Sequence, residues 1–306
     1  MTTQDRPASR FFRARLVAIT DVTPSFRRFT FGGDDLADYG DPGYDQRIKI
    51  VFPTAETSID DMPTGNDWWT QWREMDEASR PPFRTYTTRA VREVDGSARE
   101  VDIDMVSHDV LGPASAWIAG ARIGDEVLIF GPTTAHTGVN YGIDFVPPAR
   151  TDHIVLAGDE TAAPAIAVIL EQLPRDARGV VVLEVPDPAD ADYLPVHPGF
   201  AYRVAARTAD ARHAHLVAAV EDAAARLVPA GRGADVEEID IDTDILWEVP
   251  RTAKGGAALK SAPLYAWLAG EASAIKTLRR RLVTDHGVDR RAVAFMGYWR
   301  LGRAEV

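Results

Sequence analysis

The sequence changes pattern once, at Val146-Pro147-Pro148-Ala149-Arg150, and this change limits the possible folds more than any other feature. Before it, from about Phe11, short runs of alternating apolar and polar residues are separated by Gly and Pro, which predicts β-strands. After it, apolar β-branched runs alternate with amphipathic helical patterns, which predicts a parallel sheet. We therefore expect two domains, residues 1–148 and 149–306, the first all-β and the second α/β.

The first domain is predicted to be an antiparallel β-barrel, because many short strands and one short helix are punctuated by Gly and Pro. Residues 54–80 interrupt this pattern and are rich in Trp and acidic residues. Within them Trp69 and Trp72 lie at helical spacing, which favours a helix docked on the barrel over a packed lid.

Composition excludes several classes of function. The 306 residues carry a formal net charge of −12, which argues against a nucleic-acid partner. No apolar run is long enough to cross a bilayer, and residues 1–6 lack an apolar signal core, so we expect cytoplasmic residence and no stable membrane anchoring. The chain has no cysteine. Redox chemistry would therefore need a bound organic cofactor, not a disulfide or an iron–sulfur cluster.

A polar strand follows the double proline Pro81-Pro82, which keeps the chain extended. Alternation along 84–89 predicts two faces, one with Arg84, Tyr86 and Thr88 and the other with Thr85, Thr87 and Arg89. An aromatic ring, hydroxyl groups and guanidinium groups in one small area suit a flat, phosphate-bearing cofactor. An ordinary exposed strand is the alternative.

A second cofactor segment is Gly112-Pro113-Ala114-Ser115. Pro113 suits the first position of a helix, and the N–H groups of that first turn lack intrahelical partners. No acidic residue lies there, so the segment is a candidate diphosphate site. A helix that simply plugs the barrel is the alternative, and the two roles are compatible.

Two turns of the second domain follow apolar strands, Gly158-Asp159-Glu160-Thr161 and Gly270-Glu271, and ligands of open α/β sheets bind beyond such strand ends. Neither turn has the G-x-G-x-x-G pattern of dinucleotide sites. Because Asp159 and Glu160 would repel phosphates, we expect residues 158–162 to meet the redox end of a cofactor. His213, His215 and the run 279–281 are expected at the surface.

Several segments together resemble the siderophore-interacting protein family, the flavin-dependent ferric-siderophore reductases of the ferredoxin-reductase superfamily. They span nearly the whole chain in the expected order. They are residues 45–53, 84–89, 102–108, 112–117, 156–162, 246–250, 265–271 and 297–300.

The resemblance implies a barrel that binds FAD, followed by a doubly wound, nicotinamide-binding-like domain. It implies electron flow from NADH or NADPH, or from ferredoxin in some members, through FAD to the ferric iron of a siderophore. No residue needs to act as general acid or base, because electron transfer depends on proximity. The cofactor-binding residues so implied are Arg84, Thr85, Tyr86, Thr87, Asp104, His108, Gly112, Pro113, Ala114, Ser115, Asp159, Thr161 and Ala162. Residues 133–137 match poorly, so the adenine contacts stay unassigned.

Lys49 is the first candidate for substrate binding, because it lies in an otherwise apolar strand and many ferric siderophores are anionic. Its alternative is a side chain that extends along the barrel to water. Arg300, after the last strand, is the second candidate.

For the electron donor, Asp187 and Asp190 follow the second strand of the α/β domain and favour NADH, whereas Arg203 nearby would favour NADPH. A flavin reductase, a ferredoxin-linked electron-transfer flavoprotein and a non-catalytic siderophore carrier remain alternatives.

Overall fold

The computed structural model describes residues 7–94, 96, 98–107, 112–136, 138–140, 142–208, 212–227, 236–241 and 245–302. The chain forms two compact units, of which the first ends at Gly142 and the second begins at Ile143. This break precedes the double proline at which the sequence pattern changes.

The described part of the first unit contains a seven-stranded antiparallel sheet in the order β4-β3-β7-β1-β2-β6-β5. Its curled shape brings β4 near β6 and confirms the predicted antiparallel half of the fold class. The strands are β1 (Ser9–Asp21), β2 (Phe26–Gly32), β3 (Arg47–Val51), β4 (Phe83–Thr87), β5 (Ala90–Val94), β6 (Ala98–Val106) and β7 (Glu126–Pro132). Two α-helices accompany them, α1 (Trp68–Glu74) and α2 (Pro113–Gly120), together with the 3-10 helices Asp34–Asp38 and Ile59–Asp61.

The concave face of this sheet holds an apolar core that α2 closes. Alternate residues of β1 point inward, so that Phe12, Ala14 and Leu16 are almost fully buried. Trp117 of α2 packs against the core, with its ring 5.4 Å from Phe29. Helix α2 is therefore a plug, as one of the two sequence interpretations predicted.

The outer face carries a second apolar cluster, on which α1 docks. Trp72 is only 4% exposed, and its indole N–H donates to the carbonyl oxygen of Pro81 at 2.8 Å. Trp69 stacks on Trp72 at 5.6 Å and stays 42% exposed. The predicted docked helix is confirmed.

Within the described residues, the second unit has a six-stranded sheet in the order β10-β9-β8-β12-β13-β11. The strands are β8 (Arg150–Asp159), β9 (Gly179–Val185), β10 (Phe200–Ala206), β11 (Trp247–Glu248), β12 (Ser261–Glu271) and β13 (Val293–Trp299). The α-helices are α3 (Ala163–Gln172), α4 (Ala214–Leu227) and α5 (Ala272–Arg280); a π-helix spans Arg281–Asp285, and 3-10 helices span Pro188–Tyr193 and Arg290–Ala292. All neighbours pair in parallel except β11, which is antiparallel to β13.

Helices cover this sheet as the predicted doubly wound fold requires. Helices α4 and α5 share one apolar cluster with β8, β12 and β13. Helix α3 contributes nothing to that cluster and contacts β8 with a different set of buried residues. The chain runs from β8 outward to β10 and then returns to β12 on the other side of β8. The carboxyl ends of β8 and β12 therefore form the switch point, where open α/β sheets bind ligands.

Two expectations about exposure were wrong. His213 is only 6% exposed, because its backbone N–H and its ring both lie against the buried Glu184 at the end of β9. Arg279 is only 4% exposed, because its guanidinium forms two hydrogen bonds with Glu248 and a third with the carbonyl oxygen of Glu237. Both side chains are buried by partners that lie far away in the sequence.

Among the helices within the described ranges, none is both long and apolar enough to span a bilayer.

Candidate functional site

Strand β4 lies at an edge of the first sheet and pairs only with β3 there. Tyr86 pairs with Ile48 and Arg84 with Ile50, so both side chains share the face of the apolar core. Thr85 pairs with Lys49 and is exposed on the opposite face. The two faces predicted for this strand are therefore present.

Tyr86 and Arg84 combine a ring with a cation at this edge. The Tyr86 ring is half-buried and lies edge-on to Phe52, with 6.2 Å between centroids. Arg84 is half-buried, and Nη1 donates to the carbonyl oxygen of Phe83 at 2.7 Å. This is the one hydrogen bond that the Arg84 guanidinium makes to a described residue, so four of its five N–H groups remain for a ligand.

Thr87 ends β4 and is 8% exposed, so its hydroxyl group lies close to the protein surface at the end of the strand. The edge of β4 therefore offers an aromatic ring, a hydroxyl group and a guanidinium group, of which the guanidinium keeps four N–H groups for a ligand. These groups fit a flavin nucleotide.

Helix α2 begins beside open space. A Cβ atom built on Gly112 would meet no atom of the described residues within 4 Å. The Ser115 hydroxyl closes the first turn, since it accepts from the N–H of Gly112 and donates to the carbonyl oxygen of Gly112, both at 3.0 Å. No acidic residue lies in this turn. The open approach and the positive end of the helix fit a diphosphate. Pro113 and Ala114 belong to the same turn, and His108 lies outside the described residues.

Asp104 lies in the interior of the first unit. Its carboxylate accepts two hydrogen bonds from Arg28, at 2.7 and 2.9 Å, and lies 3.5 Å from Arg89. It is 1% exposed. A cofactor contact of Asp104 stays a prediction, and the geometry assigns this side chain first to joining β2 and β6.

Lys49 lies one strand from Tyr86 but on the outer face. Its ammonium group is 4.7 Å from the centroid of the Phe83 ring and 3.4 Å from the Thr85 hydroxyl oxygen. A cation over an aromatic face is held electrostatically by the ring. Lys49 is thus fixed beside the predicted flavin strand, where the positive charge is half-exposed.

At the carboxyl end of β8 the predicted segment turns inward. The Asp159 carboxylate is 0% exposed and accepts hydrogen bonds from Thr161, from the backbone of Glu271 and from the indole of Trp299. Ala162 is also fully buried, whereas Thr161 is half-buried. A cofactor contact through Asp159 or Ala162 stays a prediction, because these side chains face the protein interior.

Arg300 follows β13 and is half-buried, with Nη1 donating to the carbonyl oxygen of Ile241 at 3.0 Å. The indole N–H of its neighbour Trp299 donates to Asp159. The candidates Arg300 and Asp159, which are 141 positions apart, are therefore linked through the side chain of Trp299. Nothing in the sequence connects these two residues.

A buried ionic network lies beside the turn at residues 158–161 and was not predicted from the sequence. Arg207 forms ion pairs with Glu160 and Glu184, which are each 1% exposed. His213 adopts the left-handed backbone conformation with φ 63°, and its N–H donates to Glu184 at 3.0 Å. Neither ring nitrogen of His213 has a hydrogen-bond partner among the described residues. The sequence signal that could have indicated this network is the acidic residue Glu160 in the turn Gly158-Asp159-Glu160-Thr161.

The pKa values of the two glutamates are shifted in opposite directions. Burial, together with the negative charge of Asp159, raises the pKa of Glu160 to about 7, although Arg207 opposes this. Burial would also raise the pKa of Glu184, but the contacts of its carboxylate with His213, and the charge of Arg207, hold it below the usual range. Perturbed ionisable groups at a ligand-binding edge often mark functional sites.

Asp187 and Asp190, the residues predicted to select the electron donor, both accept hydrogen bonds from neighbouring backbone N–H groups. Asp187 accepts from the N–H of Ala189 at 2.8 Å, and Asp190 accepts from the N–H of Asp187 at 3.1 Å. Asp190 is 0% exposed. Of the two, only Asp187 is exposed.

Two family profiles match the chain. The profile of the siderophore-interacting FAD-binding domain matches residues 15–136, and that of the siderophore-interacting protein matches residues 151–302.

Individual relatives match over nearly the full length. A protein of Mycobacterium tuberculosis is 31% identical over 294 residues, covering 95% of this chain and 90% of the relative. The ferric vibriobactin reductase of Vibrio cholerae is 26% identical over 285 residues, covering 93% of this chain and 87% of the relative. The crystal structure of the siderophore-interacting protein SipS from Aeromonas hydrophila has a TM-score of 0.67 at 28% identity, covering 97% of this chain and 94% of that one.

Proposed function

The chain belongs to the siderophore-interacting protein family, and from this premise we propose that it reduces ferric siderophores through bound FAD, with NADH or NADPH as the electron donor. The observation that carries the proposal is the edge of β4, where the Arg84 guanidinium keeps four N–H groups for a ligand, beside the ring of Tyr86 and the hydroxyl group of Thr87. A relative named as a ferric vibriobactin reductase supports the same reaction class.

The residues of the first unit divide the binding of FAD between them. Tyr86 contacts the flavin ring, Thr87 offers a hydroxyl group to its polar edge, and Arg84 neutralises phosphate charge. The turn Gly112–Ser115 supplies backbone N–H groups to the diphosphate. FAD, when bound, supplies the chemistry that links a two-electron donor to a one-electron acceptor.

The substrate is proposed to be an anionic ferric chelate, for which the protein supplies cations. Lys49 places an ammonium group one strand from Tyr86, and Arg300 is the second cation. Transfer of one electron converts ferric to ferrous iron, which hard oxygen donors hold more weakly, so the metal is released. The positive charges raise the local concentration of an anionic substrate against the overall charge of −12.

The donor is proposed to be a nicotinamide nucleotide, with ferredoxin as the competing possibility. Because Asp190 is buried and used in a capping turn, the preference for NADH rests on Asp187 alone.

A direct test starts from purified protein, whose visible spectrum should show bound flavin. Under anaerobic conditions it is mixed with a ferric tris-catecholate, a ferrous trap and, in separate reactions, NADH, NADPH or reduced ferredoxin. We expect ferrous iron to appear with at least one donor. Flavin-containing protein that yields no ferrous iron with any donor would refute the reductase. Faster reduction of free flavin than of ferric chelates would favour a flavin reductase, and tight chelate binding by a colourless protein would favour a carrier.

A further inference from the structure

One buried carboxylate ties together the ends of three strands. Asp159 ends β8; its Oδ2 accepts from the backbone N–H of Glu271 on β12 and from the indole N–H of Trp299 on β13, both at 2.8 Å. Its Oδ1 accepts from the backbone and hydroxyl of Thr161, at 2.9 and 2.5 Å. Four donors thus meet a side chain that is 0% exposed.

Gly270 makes room for this carboxylate. Its φ of 149° lies in the region that favours glycine, and a Cβ atom built there would lie 2.6 Å from Oδ2 of Asp159. The pairing of β12 with β13 also shifts register between Gly270 and Glu271. The backbone is therefore shaped so that the carboxylate can reach across β12 to Trp299.

Glu271 anchors residues 299–301, at the end of β13, from the other side. Its carboxylate is buried, with Oε2 accepting from the N–H groups of Ser273 and Ala274 at the start of α5, at 2.8 and 3.1 Å. Its Oε1 accepts from the backbone N–H of Leu301 at 3.3 Å. Arg300 is thus flanked by two anchored residues, Trp299 and Leu301.

Two buried carboxylates are a costly way to hold a strand end. Taking each ion out of water is unfavourable, and hydrogen bonds must compensate for it. Apolar residues would pack the same space at lower cost, but they would not hold an indole and a backbone N–H in fixed directions. This arrangement is what a precisely placed functional side chain requires from its supports.

We propose that Asp159 and Glu271 are positioning residues that fix the segment 299–301 and thereby hold the Arg300 guanidinium where an anionic ferric chelate binds. This inference rests on the proposed function. It assigns Asp159 a role through Trp299 and Arg300, in place of the direct cofactor contact that the sequence predicts, since the carboxylate is fully buried.

Asp159→Asn tests the proposal with almost no change of shape. An amide has one acceptor oxygen, so it cannot serve both the Thr161 donors and the donors of Glu271 and Trp299. We expect KM for an anionic ferric tris-catecholate to rise about tenfold more than KM for a neutral ferric tris-hydroxamate, as the loss of one buried hydrogen bond to a charged group predicts. Equal changes for the two chelates would overturn the proposal.

The second arm asks whether Asp159 acts through Arg300. In the Arg300→Ala background, Asp159→Asn should cause no further change in KM for the tris-catecholate. The same relative increase in both backgrounds would contradict the inference. Asp144→Asn is the matched control, because this buried carboxylate also accepts an indole N–H, from Trp247 at 3.2 Å. A selective tris-catecholate effect in the control would equally count against it.

Binding of the redox-inert gallium(III) tris-catecholate, followed by quenching of tryptophan fluorescence, separates the inference from the proposed function. If the wild type binds this chelate but reduces no ferric chelate, the reductase is refuted while the Kd values of the same variants still decide the positioning role. If the wild type does not bind the gallium(III) tris-catecholate, both the reductase function and the positioning role are refuted.

Discussion

The substitution Glu160→Gln tests the buried ionic network through its pH dependence. Burial and the charge of Asp159 raise the pKa of Glu160 from 4.5 to about 7, and Arg207 opposes them only in part. Between these two pH values the native protein keeps a proton that the unfolded chain has lost. Stability from this group therefore falls as the pH rises, and above about pH 7 the full penalty is present.

The magnitude follows from the pKa. At about 1.4 kcal/mol for each pH unit, Glu160 costs up to about 3 kcal/mol of stability at pH 8 relative to pH 4.5. Glutamine resembles the protonated acid and carries no such penalty. We expect wild type and variant to be nearly equally stable at pH 4.5, and the variant to be the more stable by about 3 kcal/mol at pH 8.

Calorimetric melting of both proteins from pH 4.5 to 8 measures this difference. For a unit of this size about 3 kcal/mol corresponds to a Tm difference of roughly 6–12 °C in favour of the variant at pH 8. Glu171→Gln is the matched control, because Glu171 lies exposed on α3. It should shift Tm little at any pH.

Two results would refute the reasoning. A constant difference between wild type and Glu160→Gln across this range would mean that Glu160 does not titrate there. A variant that is less stable than wild type at pH 8 would mean that the ion pair with Arg207 outweighs the cost of burial.

Three further substitutions test the candidate site and the core. Arg84→Ala should weaken FAD binding by at least about tenfold in a fluorescence titration, as the loss of a charge-assisted contact predicts, whereas Arg15→Ala, an exposed arginine of β1, should leave the Kd unchanged. Lys49→Ala should raise KM for a ferric tris-catecholate by roughly threefold to tenfold in steady-state assays with FAD retained; an unchanged KM would remove Lys49 from the substrate site. Trp72→Ala should destabilise the first unit by about 3–5 kcal/mol in urea unfolding, because the buried ring and its bond to Pro81 are lost, and Trp69→Ala by clearly less, because that ring is partly exposed. Equal losses for the two tryptophans would contradict the packing described.

Local pattern predicted the fold well, because each strand and helix carries its own periodicity. The apolar alternation of β1 and the polar alternation of β4 depend only on neighbours in sequence. The docked helix α1 followed in the same way from the spacing of Trp69 and Trp72. The family match then connected these segments to a flavin and a ferric substrate.

The partners of buried polar groups were not predictable in this way. Asp159 bonds Glu271 and Trp299, which lie 112 and 140 positions away, and nothing in the sequence connects it with either residue. His213 and Arg279 were expected in water because a helical pattern shows only which residues share a face. It does not show which acid will cover them.

Sequence by itself thus determined the β-rich first unit, the α/β second unit and the polar edge strand at 84–87, since these follow from short-range periodicity and residue chemistry. Tertiary structure alone decided that Lys49 and Tyr86 lie on opposite faces of one ladder, and that three strand ends meet at Asp159. The register of β3 against β4 and the order of β8, β12 and β13 set these distances, and register depends on packing across the whole sheet.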